Sequence, residues 1–208
     1  MNPLKSDSWE WVGNRKKLFT TKELTKMIKE KSLGAGTNAL ETLRNYLVPK
    51  KVEVFIWRAR KGRLSARVEL DKWGVDLDSV RCPLCDNDIE TVGHSLLLCK
   101  KVEEIWVKIF AWWGVSSSLW HSLSEMLQTG AIQQNLDSGA LIWQAVIWIS
   151  CYLIWKNRNQ VVFNNKGWCT PNALNEIQIK SFEWVAKRIK GRTLDWHNWF
   201  HNPACFVN

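Results

Sequence analysis

Three cysteines and a histidine form a closely spaced cluster near the middle of the chain. Cys82, Cys85, His94 and Cys99 follow the spacing C-x2-C-x8-H-x4-C. The first two thiols lie on a tight Cys-Pro-Leu-Cys turn, so they can bind one ion from the same side. Three sulfur donors and one nitrogen donor complete the closed tetrahedral shell of structural zinc, with no position left for water or substrate. The pattern therefore predicts one structural zinc ion.

Two other interpretations of the cluster remain open. The residues would be buried thiols with a core histidine and no metal, or Cys82 and Cys85 would form a disulfide. Residues 1–16 are polar and charged and lack the apolar stretch of a secretory signal, which favours an intracellular, reducing compartment, nucleus or cytoplasm. Such a compartment favours zinc over the disulfide. The acidic residues of the loop are expected to solvate it or to accept a hydrogen bond from the imidazole; they are Asp86, Asp88 and Glu90.

The chain also carries an excess of positive charge, most of which precedes the cluster. Its formal net charge is +9, and between residues 44 and 67 Glu53 is the only acidic residue. Such a stretch is typical of a surface that faces phosphate groups, although a solvated helix face has a similar composition. Within it Trp57 is a candidate for base stacking or for burial. The candidate nucleic-acid contacts are Lys50, Lys51, Arg58, Arg60, Lys61 and Arg63.

Hydrophobic periodicity predicts a mainly α-helical fold. The zinc ion is expected to hold its helices together. A short β-hairpin is expected within residues 1–17, and Thr20 with Glu23 predicts the start of a first helix. Another helix is expected from Asn38 to Leu47, ended by Pro49. An apolar stripe at helical spacing then follows at Val52, Phe55, Ile56 and Ala59.

Ser65 is expected to cap a short helix that ends at Gly74, and a longer helix should begin at or just after Cys99. Its predicted inner face consists of Val102, Trp106, Ile109 and Trp113. Most of the 15 tryptophans, including Trp73, Trp106, Trp143 and Trp148, are expected to pack in the core.

The C-terminal half is expected to be helical as well. The apolar run Gly139–Trp155 favours a buried helix, with a membrane span as the alternative, because polar residues interrupt the run. Thr170 and Pro171 predict the start of a final long helix that ends before Gly191. The predicted organisation is a lead-in at 1–17, a zinc-binding domain at 18–108 and a helical region at 109–208.

The order of these motifs resembles the reverse-transcriptase zinc-binding domain of plant non-LTR retrotransposons. The similarity covers about residues 7–165 and is strongest from Pro49 to Trp106; it rests on Val48-Pro49-Lys50-Lys51-Val52, Phe55-Ile56-Trp57-Arg58, Arg63-Leu64, the four cluster residues, Glu90-Thr91 and Ile154-Trp155-Lys156-Asn157-Arg158-Asn159. Ser95, Lys100 and Lys101 depart from the family pattern without removing a ligand. The resemblance implies a domain C-terminal to a reverse transcriptase, with RNA or DNA and that polymerase domain as partners.

Catalysis is not expected from this chain. A polymerase needs paired carboxylates for two metal ions, and the sequence contains no Asp-Asp pair. Its adjacent acidic pair, Glu103-Glu104, suits a solvated helix face. The sequence therefore predicts a non-catalytic zinc module that associates with nucleic acid without sequence specificity. The alternative is a protein-interaction module whose apolar helix Gly139–Trp155 docks a separate polymerase domain.

Overall fold

The computed structural model describes residues 20, 21, 23, 24, 44–115, 120–128 and 138–206. The chain divides into two compact units, Met1–Leu43 and Arg44–Asn208. In the first unit the predicted pairing of Thr20 with Glu23 is confirmed, because the backbone N of Glu23 donates to the Thr20 hydroxyl at 3.2 Å. The predicted hairpin at 1–17 lies outside the described residues. The predicted domain boundaries stay predictions.

Residues 44–49 open the second unit with a turn. The helix predicted to run to Leu47 is therefore wrong from Arg44 onward. The cause is the buried side chain of Asn45, whose Oδ1 accepts from the backbone N of Leu47 at 3.0 Å. An asparagine that binds its own backbone two residues on favours a turn over a helix. Its Nδ2 also donates to the carbonyl of Leu141 at 2.9 Å, which anchors the turn.

Helices α1 (Lys50–Arg60) and α2 (Arg67–Lys72) precede the cysteine cluster. The predicted apolar stripe of α1 is confirmed, because Val52, Phe55, Ile56 and Ala59 are all buried. Helix α2 begins after Ala66, one residue beyond the predicted cap, and buries none of its residues. Trp73 follows this surface helix and is 53% exposed, so its predicted place in the core is wrong.

Helix α3 (Lys100–Trp113) begins directly after Cys99, as predicted, and ends at Gly114. Gly114 has a φ of +63°, the left-handed conformation that commonly ends a helix. The predicted inner face of α3 is confirmed, since Val102, Trp106, Ile109 and Trp113 are buried. The residue that closes the cluster is therefore joined without a linker to a core helix.

The remaining elements are α4 (Leu123–Gln128), α5 (Ser138–Asn164), α6 (Thr170–Ala186), α7 (Trp196–His201) and a 3-10 turn at Pro203–Phe206. Helix α5 lies at the centre, packed mainly on α6 and α1. Among the described helices it is the one that is long and apolar enough to cross a membrane. However, 72% of its most apolar window is buried inside the protein, which is typical of a core helix. The described residues contain no β-strand, only an isolated bridge between Arg81 and Ile89, and a mainly α fold is confirmed.

Candidate metal centre

The Cys82–Cys85 turn is held by backbone hydrogen bonds. The N of Asp86 donates to the carbonyl of Cys82 at 2.9 Å, and the N of Cys82 donates to the carbonyl of Asp88 at 2.8 Å. Asp86 adopts a φ of +55°, a conformation that aspartate tolerates better than most residues. The chain therefore folds back on itself after Cys85, with both thiols of the turn on the same small loop.

The other two residues of the cluster lie at the ends of a π-helical turn, His94–Leu98. The hydroxyl of Thr91 accepts a hydrogen bond from the backbone N of His94 at 3.0 Å, which fixes the start of this turn. The N of Cys99 donates to the carbonyl of His94 at 2.9 Å, five residues back. This wider turn explains the x4 spacing, because its closing hydrogen bond brings His94 and Cys99 together.

The donor atoms of Cys82, Cys85, His94 and Cys99 all lie within 4.8 Å of one another. Tetrahedral zinc with bond lengths of about 2.3 Å to sulfur and about 2.0–2.1 Å to nitrogen separates two sulfurs by about 3.8 Å, and sulfur from nitrogen by about 3.6 Å. The Sγ atoms of Cys82 and Cys99 are 3.9 Å apart, and Sγ of Cys85 is 3.4 Å from Nε2 of His94. The donor set and its spacing fit one zinc ion.

Burial and proton sharing add to this fit. Cys82 and Cys99 are fully buried and His94 nearly so. The hydrogen bond between the two thiols lowers the pKa of Cys82 to about 5 and raises the pKa of Cys99 far above its usual range, where burial acts in the same direction. A second thiolate at this distance needs a cation beside it, and a bound metal ion supplies that charge.

Glu90 has a different role from the one expected for an acidic residue of this loop. Asp86 and Asp88 are exposed, as solvating residues would be, but Glu90 is completely buried. Its carboxylate accepts hydrogen bonds from the backbone N of Arg67 at 3.0 Å and the Ser95 hydroxyl at 3.1 Å. Its third partner is Arg158, whose Nε donates at 2.7 Å. Glu90 therefore ties the loop to α2 and α5.

Arg158 is a residue that sequence reasoning missed. It lies on α5 and is only 3% exposed, paired with Glu90 through a second hydrogen bond from Nη2 to Oε2. The available signal was that Arg158 follows the buried Ile154 at helical spacing, since a buried arginine requires an acidic partner.

The predicted basic residues lie on α1 and the turn that follows it. Arg60 is half-buried, and the other five are exposed. We refer to Lys50, Lys51, Arg58, Arg60, Lys61 and Arg63 as the α1 basic residues.

Several of these cations contact neutral groups. Arg58 donates through Nε and Nη2 to the carbonyl of Arg63, at 3.3 and 3.2 Å. The guanidinium of Arg63 lies 5.5 Å from the centre of the Trp57 ring, and Lys51 Nζ lies 4.8 Å from the centre of the Trp184 ring. Lys50, in contrast, forms an ion pair with Glu53 at 2.6 Å. In Arg58, Arg63 and Lys51, a hydrogen bond to a carbonyl or a contact with a ring holds the side chain in place without cancelling its charge.

Two further cations join this surface from the turn that follows α6. Arg188 and Lys190 line an open hollow of about 540 Å³ together with Tyr46, Val48 and Lys50. No acidic residue is among the described residues that line it. Sequence reasoning missed Arg188 and Lys190 because they are far from α1 along the chain.

Residues 19–106 match the family model described as zinc-binding in reverse transcriptase. Comparisons with curated proteins and with solved structures gave no significant match. The family resemblance is thereby confirmed for this segment at the level of the zinc-binding domain. Together with the geometry of the cysteine and histidine cluster, the match fits a zinc-binding module.

Proposed function

We propose that this chain is a non-catalytic module in which one structural zinc ion supports a basic surface for RNA or DNA, as the C-terminal part of a retroelement reverse transcriptase. The observation that carries the proposal is the grouping of Lys50, Arg188 and Lys190 around a hollow with no described acidic lining residue. Clustered cations that outnumber their acidic neighbours, here Glu53 beside Lys50, are typical of proteins that bind phosphate backbones without sequence specificity.

Zinc in this site would stabilise the fold. Four protein ligands fill a tetrahedral shell, so no open position is left at which water or substrate would react. The indole Nε1 of Trp106, on α3, donates to the carbonyl of Leu96 at 2.9 Å, between His94 and Cys99. Holding these two ligands on one ion therefore also holds the first turns of α3.

The acidic residues support a non-catalytic role. Glu103 and Glu104 are exposed on α3, and the carboxylate of Glu104 accepts a hydrogen bond from the Thr170 hydroxyl at 3.1 Å. Lys100 and Lys108 line the same surface depression. This mixture of charges is typical of a solvated helix face and unlike the paired carboxylates that hold two catalytic metal ions.

The salt dependence of RNA binding tests the proposal. We expect the zinc-loaded protein to bind a labelled single-stranded RNA with an affinity that falls steeply as salt is added, measured by fluorescence anisotropy. Neutralising Lys50, Lys51 and Arg63 to glutamine should weaken binding and reduce the slope of log K against log salt by about 2, at about 0.7 for each phosphate contact.

The matched control neutralises Lys100, Lys101 and Lys108, three exposed lysines of α3, and should leave most of the slope intact. An affinity that does not respond to salt, or that survives the loss of Lys50, Lys51 and Arg63, would contradict nucleic-acid binding by this surface.

The alternative, docking of a polymerase domain through the apolar helix Gly139–Trp155, receives less support. That helix is α5, whose most apolar window is already 72% buried inside this protein. A docking surface needs apolar area that remains exposed.

A further inference from the structure

A second hollow lies between α1 and α5. Two of the α1 basic residues, Lys51 and Arg58, line it, whereas Lys50 lines the first hollow. The second hollow is open, has a volume of about 490 Å³, and falls within the range of roughly 300–1,000 Å³ typical of ligand sites. Four aromatic residues and two cations that are not paired with any described carboxylate contribute to its lining: Phe55, Tyr152, Trp155, Phe163, Lys51 and Arg58. No described lining residue is acidic.

Three of the aromatic residues are in contact with one another, and the fourth, Phe163, is an exposed ring that lines the same hollow. Phe55 contacts Tyr152 edge to face at 5.6 Å and Trp155 at 6.5 Å between ring centres. Phe163, near the end of α5, is 73% exposed, more than any other large apolar residue that the structure describes as exposed. An exposed aromatic ring at a hollow that other aromatic residues also line is typical of a stacking platform for bases.

The cations at this hollow keep their charge. Lys51 lies over the rings of Tyr152 and Trp184, and Arg58 donates to a backbone carbonyl, so neither contact is with a carboxylate. The third cation of the lining, Arg158, differs because Glu90 neutralises it. Lys51 and Arg58 are two turns apart on α1, which suits a strand whose backbone follows the helix.

Asn159 adds a polar group to the wall. The Nη1 of Arg158 donates to Oδ1 of Asn159 at 2.9 Å, which fixes the orientation of the amide. The NH2 group is then the half of the amide that can donate to an acceptor in the hollow.

We propose that the hollow between α1 and α5 is a subsite for an unpaired base of single-stranded nucleic acid, stacked against Phe163 and the neighbouring rings, with its phosphates beside Lys51 and Arg58. This inference rests on the proposed function, since it assigns to the same basic surface a preference for single strands with bases. Double-stranded nucleic acid keeps its bases stacked within the helix and cannot offer them to such a hollow.

The test compares two ligands of equal charge. The zinc-loaded chain is titrated with a labelled oligouridylate and with a ribose-phosphate oligomer of the same length that lacks bases. We expect the oligouridylate to bind about tenfold more tightly, because stacking on aromatic side chains adds to the phosphate contacts.

The Phe163→Ser variant should lose that advantage and leave binding of the base-free oligomer unchanged. Its fold should be preserved, because the ring is largely in water. Phe163→Trp, which keeps an aromatic ring at this position, should keep the preference for the oligouridylate. The matched control is Val107→Ser, which removes a 52% exposed apolar residue from α3 and should affect neither ligand.

Equal binding of the two ligands by the unchanged protein, or an equal loss for both in Phe163→Ser, would overturn the base subsite while leaving salt-dependent binding intact. Failure to bind either oligomer would overturn the proposed function together with the subsite.

Discussion

Arg158 on the central helix α5 is paired with Glu90 in the loop between Cys85 and His94. Nε of Arg158 lies 2.7 Å from Oε1 of Glu90, and both side chains are buried. The Glu90 carboxylate also accepts hydrogen bonds from the backbone N of Arg67 and the hydroxyl of Ser95. The pair therefore connects the candidate zinc loop with the C-terminal helices, although the two residues are 68 positions apart.

Breaking this pair from one side should be strongly destabilising. Arg158→Met would leave the Glu90 carboxylate buried without its cation, at an expected cost of about 3–5 kcal/mol in the free energy of unfolding. Chemical denaturation of the zinc-loaded protein, followed by circular dichroism, would measure the loss.

The neighbouring Lys156 provides the matched control. Its ion pair with Glu176, at 2.7 Å, lies partly in solvent, so Lys156→Met should cost only about 0–1 kcal/mol. In the double variant Glu90→Gln/Arg158→Met neither charge is left alone, and most of the loss should be recovered. Similar losses in the two single variants would show that the buried pair has no special weight.

The sequence predicted the parts of the structure that depend on short spacings. The cysteine turn, the start of α3 after Cys99 and the apolar stripe of α1 each involve residues a few positions apart, and local geometry determines them. From the sequence alone, Glu90 is expected to face solvent or the imidazole, because the sequence does not reveal which distant helix covers the loop. The turn at Asn45 was missed for a similar reason, since its side chain is anchored by Leu141.

Removal of zinc should expose the thiols of the cluster to modification. In the zinc-loaded protein the exposed Cys169 and Cys205 should react quickly with a maleimide. After treatment with a chelator, Cys82, Cys85 and Cys99 should become reactive as well. Cys151 should stay protected, because burial raises the pKa of its thiol well above the usual range and the thiolate is the reactive form.

Mass spectrometry of a Cys169→Ser/Cys205→Ser background would count the labelled thiols, and metal analysis would give the zinc content in parallel. Cys85→Ala should hold much less zinc and label without the chelator. Rapid labelling of the cluster in protein that has been given zinc would contradict the assignment of these ligands.

The lowered pKa of the Glu176 carboxyl predicts a specific dependence of stability on pH. Partial burial opposes ionisation of its carboxyl, but hydrogen bonds from Lys156 and Asn157, at 2.7 and 2.9 Å, outweigh burial and lower its pKa. The stabilisation from this group should be complete above the pKa that glutamate has in the unfolded chain. It should disappear as the pH falls through the lower pKa of the folded state.

The measurement is the difference in unfolding free energy between the unchanged protein and Glu176→Gln, from neutral to acidic pH. Acid release of zinc affects both proteins alike, so the difference isolates Glu176. A difference that stays constant, or that grows as the pH falls, would contradict the predicted sign.

The two cations in the turn after α6 should each contribute as much to nucleic-acid binding as a cation of α1. Arg188 and Lys190 line the same hollow as Lys50, so a strand that contacts Lys50 passes close to both. The double variant Arg188→Gln/Lys190→Gln should weaken binding of single-stranded RNA and lower the salt slope by about 1.4, at about 0.7 for each cation. Lys100→Gln/Lys108→Gln removes the same charge from a face of α3 that also carries Glu103 and Glu104, and should lower the slope much less. Equal effects of the two double variants would assign binding to net charge alone, because only a localised surface distinguishes cations by their position.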